Sequence, residues 1–256
     1  MERDCEPPKD YDTIISSNTK ENQDMAFFKV NWNNYTEELS KKADTENWSN
    51  ETYPNNGILT NYIVKTYDKL TDEKKILIGQ NYALFNTGLF TKYYEPIYAY
   101  QSGTEISFLT AYELSGIGIT ERPERANYFE NPDLLLFDWH YAIDVHYPHI
   151  LEDEGNQKRI PKDVFESKNI VNTLDGAINK MKKKVSANYK LAIPQYYEGK
   201  IQLLLPLYLA DDNITDLALV VTKTNNVYRG HTCLTLDMAY NNARLIARPE
   251  SNWLNP

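Results

Sequence analysis

The sequence predicts an α+β fold, a curved and largely antiparallel sheet with helices packed on it. Three observations predict it. Apolar or alternating runs of strand length recur along the chain, notably at 76–85, 96–100, 105–112 and 193–234. Short turn signals at Ser102-Gly103, Glu198-Gly199 and Asn225-Asn226 join several of these runs directly, which favours hairpins. Two longer segments, 56–75 and 172–188, repeat their apolar residues at helical spacing instead.

The elements follow in order. Residues 1–56 are polar and asparagine-rich, with Pro7, Pro8 and Pro54 as breakers. Only Met25-Ala-Phe-Phe-Lys-Val and Trp32 can pack there, so this segment reads as an N-terminal arm with short docking elements. Residues 57–256 read as a single α+β domain. Ile58, Leu59, Tyr62, Ile63, Tyr67 and Leu70 predict an amphipathic helix. Strands are expected at 76–85, 96–100 and 105–112, and shorter ones at 134–137 and 142–145. Pro161 can open a helix, because its missing N–H is no loss in a first turn. Ile170, Leu174, Ile178 and Met181 stripe the clearest helix, and the lysines at 180–184 suit its C-terminal end. After the two hairpins, Thr235 caps a last helix over 236–246, with Asp237 in its first turn.

Net charge is −9, so attraction of the whole protein to nucleic acid is not expected. The charge is uneven. Residues 171–256 hold ten Lys and Arg against seven Asp and Glu, a balance of +3, which leaves −12 on residues 1–170. Twenty tyrosines against eight phenylalanines give rings that pack and hydroxyls that bond. Cys5 and Cys233 make neither a disulfide framework nor a zinc pattern. The N-terminus lacks the apolar stretch of a signal peptide, and no apolar run approaches the roughly 18 residues of a membrane span. A cytoplasmic protein without a membrane partner is expected.

The richest region is 193–248. Gln195, Gln202, Arg229, Asp237, Asn241, Asn242 and Arg244 stand within or beside apolar runs. Polar groups left unpaired in a core cost about 1–3 kcal/mol each. The region therefore holds a polar network, a ligand site, or both.

Several blocks carry a resemblance. They are Phe85-Asn-Thr-Gly-Leu89, Glu95-Pro-Ile-Tyr-Ala99, Arg122-Pro-Glu-Arg125-Ala-x-Tyr-Phe, His149-Ile-Leu-Glu-Asp153, Pro194-Gln-Tyr-Tyr-x-Gly-x-Ile-Gln-Leu-Leu-Leu-Pro206 and Tyr228-Arg-Gly-x-Thr-x-Leu-Thr-Leu-Asp-Met-Ala-Tyr-Asn-Asn-Ala-Arg244. Over residues 57–254 the chain resembles a family of domains of unknown function that is often fused to LOTUS (OST-HTH) RNA-binding or cold-shock-type domains. The resemblance implies work on or near RNA, with catalysis as one form of it. Because this sequence carries no such appended module, it also implies a protein partner that supplies RNA targeting, or a nucleotide-sized ligand.

Candidate chemistry is then assigned residue by residue. Asp144 and His146 share a face if 141–147 is extended, and histidine–carboxylate pairs bind divalent metals or move protons. His149 and Asp153, which lie in a block of the resemblance, are the preferred such pair. Arg122 and Arg125 can clamp phosphate or pair with Glu121 and Glu124. Asn86-Thr-Gly88 can offer N–H groups to an anion or form an ordinary turn. In 228–244, Arg229, His231 and Cys233 are expected on one face of a strand and Thr232 on the other. Asp237, Asn241 and Arg244 share a helix face that can orient a phosphodiester or tie helix to sheet. The substrate-binding set is Arg122, Arg125, Gln195, Gln202, Arg229, Thr232, Asn241, Asn242 and Arg244. The catalytic set is His149, Asp153 and Asp237. A divalent metal is a candidate cofactor with no assigned ligands. The functional expectation is a phosphodiesterase or ribonuclease acting on RNA or a nucleotide, and the alternative is a non-catalytic nucleotide sensor or protein adaptor.

Overall fold

The computed structural model describes residues 27–211, 213–250 and 252–254; Cys5 and residues 1–26 of the expected arm lie outside the described residues. The α+β class is as the sequence predicts, with the strands divided between two sheets. The chain falls into two compact units that meet in sequence at Asn127 and Tyr128.

The first unit contains α1 (Thr36–Lys42), α2 (Gly57–Asp72), β1 (Leu77–Ile78), β2 (Tyr82–Phe90), β3 (Pro96–Ser102), β4 (Glu105–Thr110) and α3 (Ala111–Gly116). Its four strands pair antiparallel in sequence order. The predicted stripe of α2 is its buried face. Phe85 of β2 is fully buried in an aromatic cluster, with ring centroids 4.8 Å from Phe28, 5.6 Å from Tyr67 and 6.0 Å from Trp32. Residues 27–56, polar as they are in composition, thus place Phe28, Trp32, Leu39 and Trp48 in the core. The strand expected over 105–112 stops at Thr110. There the Thr110 hydroxyl accepts the Glu113 N–H and the Glu113 carboxylate accepts the Thr110 N–H, a capping box that starts α3.

The second unit contains β5 (Ala142–Val145), α4 (Tyr147–Glu152), α5 (Glu154–Arg159), α6 (Lys162–Phe165), α7 (Ile170–Ala187), β6 (Ile193–Tyr197), β7 (Lys200–Leu207), β8 (Leu217–Thr224), β9 (Val227–Leu234) and α8 (Leu236–Ala243). The expected strand at 134–137 is absent. Pro132 opens a 3-10 turn instead, and Phe137 stacks on Tyr228 with centroids 4.6 Å apart. The sheet order is β5-β9-β8-β7-β6, and only the β5–β9 pair is parallel. Glu198 and Gly199, with φ of 46° and 77°, make the tight β6–β7 turn; positive φ at both positions suits the twist of a hairpin.

The alternation of β7 and β8 gives the sheet two faces. Leu203, Leu205, Leu219 and Val221 pack with Leu174, Ile178, Met181 and Val185 of α7. Lys180 and Lys184 of α7 lie 5.6 Å and 3.5 Å from the Tyr208 ring centroid, so the lysine-rich helix end packs on an aromatic surface. The opposite face carries Gln202, Leu204, Val220 and Thr222, and α8 covers part of it. The uncovered part is the site described below.

Phe85→Ala should destabilise the first unit by about 3–5 kcal/mol, the usual cost of emptying a buried aromatic position. Chemical denaturation of the variant and the wild type measures it.

Candidate functional site

A polar row crosses the second sheet from edge to edge. Backbone register aligns Gln195 with Gln202, Thr222 with Arg229, and Arg229 with Asp144. Side chains complete the row between β7 and β8, where Gln202 Nε2 donates to Thr222 Oγ1 at 3.1 Å. Gln195 Nε2 donates to Gln202 Oε1 at 2.8 Å, and Asn242 Nδ2 of α8 donates to Gln195 Oε1 at 3.2 Å. Gln195 and Gln202 are only 1% and 8% exposed. Each amide thereby offsets the desolvation of the next.

The row's β9 end depends on a bulge. Val221 pairs with Gly230 but Val220 pairs with Thr232, so His231 is an extra residue. Alternation is broken there. Arg229 and Thr232 share the pocket face, while Cys233 turns into the α7 core. This corrects the expected grouping of Arg229 with Cys233 and the expected opposition of Thr232; one inserted residue inverts the phase of everything after it.

β5 stops pairing at Val145, and the His146 N–H still reaches the Gly230 carbonyl at 2.8 Å. Beyond that point two side chains of α5 replace the missing strand. Asn156 Oδ1 accepts the Cys233 N–H at 3.0 Å and the Thr232 hydroxyl at 2.8 Å. Arg159 Nη1 donates to the Cys233 carbonyl at 3.0 Å. Asn156 is 1% exposed and was not singled out in the sequence.

Over this floor lies a pocket of about 650 Å³, within the usual range for small-molecule sites. Its charged and titratable lining comprises Arg229, Lys200, His146, His149, His231, Asp144 and Glu198. Among the described residues no ion pair joins Arg229 or Lys200 to a carboxylate. His146 caps α4: its Nδ1 accepts the His149 N–H at 3.2 Å, which leaves the proton of the neutral ring on Nε2. The rings of His146 and His149 lie 6.2 Å apart. Tyr197 adds an aromatic wall. Among the described residues no three His, Cys, Asp or Glu side chains form a group that could hold a metal ion.

The pocket thus gathers His149, Gln195, Gln202, Arg229, Thr232 and Asn242 of the predicted set. The other candidates lie elsewhere. The Asp153 carboxylate caps α5 through the Asn156 N–H at 2.8 Å. Asp237, Asn241 and Arg244 lie on or at the end of α8 outside the pocket lining, and the last two are buried. Arg122 and Arg125 belong to the first unit. The Arg122 guanidinium donates to the carbonyls of Ala111, Ile119 and Glu121 at 2.6–2.8 Å, and so fastens the end of α3. Arg125 is exposed, and its carbonyl accepts from Lys75. Asn86–Gly88 forms an irregularity inside β2, where the Gly88 N–H is taken by Asn86 Oδ1. Sequence reasoning passed over Lys200, Tyr197 and Thr222 as site residues. The two-residue turn at Glu198-Gly199 was the available signal, since it places Lys200 opposite Tyr197.

Fold and site define an α+β protein whose open five-stranded sheet carries a polar pocket lined by Arg229 and Lys200, neither of which is ion-paired among the described residues. The family model described as "Domain of unknown function (DUF3825)" matches residues 39–253, and the chain belongs to that family. No curated protein and no solved structure matches the chain. Among the described residues no helix is long and apolar enough to cross a membrane.

Arg244 is buried and engaged with its surroundings, whereas Arg229 is exposed. Arg244→Ala should therefore lower the melting temperature, by analogy with buried charged pairs whose loss costs about 3–5 kcal/mol. Arg229→Ala should leave it within the roughly 0.5 kcal/mol spread of surface changes. Scanning calorimetry separates the two. Burial also pushes the Cys233 thiol up to about 12. Its neutral form contributes stability that is present below the unfolded value near 9 and is lost as pH rises toward about 12. In a Cys5→Ser background, native Cys233 should resist thiol reagents at pH 8 and react once denaturant is added.

Proposed function

We propose that the pocket binds a nucleotide or a short RNA segment and performs acid–base chemistry on a phosphodiester bond. The observation that carries this reading is the convergence of Arg229 and Lys200, without carboxylate partners, with His146, His149 and His231 above a row of amides. Guanidinium and ammonium groups match phosphate oxygens. Imidazoles titrate near neutrality, so one can take the proton of an RNA 2′-hydroxyl as it attacks phosphorus while another gives a proton to the departing 5′-oxygen. Arg229 and Lys200 would then carry the charge that develops on the phosphoryl oxygens. The buried glutamines offer in-plane donors and acceptors of the kind that meet base edges. Selection of a particular RNA would fall to a partner protein.

A second reading is a nucleotide sensor without turnover. It is favoured by the histidines' surroundings: none of the three in the pocket has a carboxylate within salt-bridge distance, the only His–Asp pair among the described residues being His140 with Asp138, outside the pocket.

Incubating the full chain with RNA pools and dinucleotides, with and without Mg²⁺ or Mn²⁺, should yield cleaved products. His149→Ala and His231→Ala should each slow cleavage by about 10²–10⁴-fold. A nucleotide-dependent rise in melting temperature without products selects the sensor. Neither products nor stabilisation would remove both readings.

A further inference from the structure

We infer that the amide row runs in one direction and that its direction builds an oxyanion subsite from Thr222 and Arg229. The inference deepens the nucleotide reading of the same pocket and rests on it for the rest of the ligand. The row starts at Asn242, whose Nδ2 donates to Gln195 Oε1 at 3.2 Å. Gln195 Nε2 donates to Gln202 Oε1 at 2.8 Å, and Gln202 Nε2 donates to Thr222 Oγ1 at 3.1 Å. A primary amide committed as acceptor on its oxygen and donor on its nitrogen cannot turn over alone without breaking both bonds. Gln195 and Gln202 are both more than nine-tenths buried, so water does not compensate for such a flip.

The consequence falls on Thr222. Its hydroxyl accepts from Gln202, and its one proton meets no acceptor among the described residues. Thr222 is half-buried and lines the pocket. Its partner across the β8–β9 ladder is Arg229, on the same face and also lining the pocket. Side chains directly opposite in an antiparallel pair have Cβ atoms about 4.5–5.5 Å apart, close enough for both to reach adjacent oxygens of one tetrahedral anion. The Arg229 guanidinium has donors and no acceptor, and no carboxylate among the described residues pairs with it. Lys200 lines the same pocket. Thr222, Arg229 and Lys200 thus bring three donor groups to this side of the pocket, beside the Asp144 carboxylate that stands in register with Arg229, and the buried amides fix one of the donors in advance. Donors held in place before the ligand arrives are the arrangement that stabilises negative charge on oxygen.

The far end of the row differs. Gln195 and Asn242 keep both donor and acceptor capacity, and Tyr197 flanks the pocket beside them. The ligand class is thus a phosphoryl oxyanion, monoester or diester, lying over β8 and β9, attached to a planar hydrogen-bonding group lying toward β6. A row running the other way would leave Thr222 Oγ1 an acceptor beside Arg229 and would favour a ligand donor instead.

The test is calorimetric titration of the full chain with inorganic phosphate, a nucleoside, its 5′- and 3′-monophosphates and a dinucleoside monophosphate. The wild type should bind at least one phosphorylated nucleoside tenfold or more tightly than the bare nucleoside. The isosteric Thr222→Val should lose about tenfold for that ligand and nothing for the nucleoside. Thr222→Ser, which keeps the hydroxyl, should restore the loss, and Arg229→Gln should weaken the phosphorylated ligand at least as much as Thr222→Val does. Melting temperatures recorded alongside identify a variant that has lost its fold, and the serine variant then carries the comparison. Equal wild-type affinity for nucleoside and nucleotide overturns the subsite while leaving the nucleotide reading standing. Equal losses for nucleoside and nucleotide in Thr222→Val, or a serine variant that restores nothing, also overturn it. No binding of any probe overturns both.

Discussion

The second unit depends on how the backbone of Cys233 is satisfied. β5 pairs with β9 only as far as Gly230, so among the described residues no strand lies beside the outer edge of β9 at 231–234. A buried peptide group without partners costs about 1–3 kcal/mol on each side. Asn156 and Arg159, one turn apart on α5, supply an acceptor for the Cys233 N–H and a donor for its carbonyl. They act as a strand made of side chains. Because Asn156 also receives the Thr232 hydroxyl, the same contact holds the bulge at His231 open toward the pocket. Asp153 caps α5 and so orients both side chains, which gives it a structural part in the site without a place in the pocket.

The bulge and the amide row solve one problem from two directions. A sheet face that carries α8 on one part and an open pocket on the rest must pass from apolar to polar within a strand. On β7 the change is from Leu204 to Gln202, and on β8 from Val220 to Thr222. Without partners the two glutamines would be costly at 1% and 8% exposure. Linked to Asn242 and Thr222, they form a network that is rigid because it is closed on the core side and open on the pocket side. The helix α8 is thereby tied to the sheet through Asn242, while its Asn241 and Arg244 are buried away from the pocket.

Much of this was legible in the sequence. The stripes of α2, α7 and α8 gave those helices to within a few residues, and the Thr235 cap is where its residue type predicts. Both hairpins of the second sheet followed from their turn residues. The Gln195–Gln202 pairing was also within reach, since a two-residue turn at 198–199 fixes the register of β6 on β7. Other features were not legible. A bulge has no strong sequence signature when it falls at an ordinary His, so the faces of Thr232 and Cys233 were exchanged. The capping box of Thr110 and Glu113 was readable but lay beneath a strong strand pattern. Asp237 and Asn241 fall on the expected helix and Arg244 caps its end, but periodicity cannot say whether a polar stripe meets a ligand or the core. Trp32 packs as its residue type predicts, but Trp48, equally a core residue, was hidden by the asparagine-rich composition around it.

The charges of the pocket argue for a ligand on energetic grounds. Several lysines of the first unit are paired with carboxylates: Lys42 meets Glu113 at 2.6 Å, and Lys69 and Lys75 both meet Glu73, at 2.7 and 2.9 Å. Burial raises the Glu73 carboxyl, but these lysines and the Asn127 N–H outweigh it and hold the group below its ordinary range. The pocket contains two carboxylates, Asp144 and Glu198, as well as two cations, yet the described residues form no ion pair between them. Asp144 even stands directly in register with Arg229. A scaffold selected only for stability gains little by keeping such groups apart, and a site that must accept an anion gains by it. Net charge weakens this only modestly, since screening over about 8–10 Å leaves the local field to the nearest groups. Both cations come from residues 171–256, the one part of the chain whose charge balance is positive.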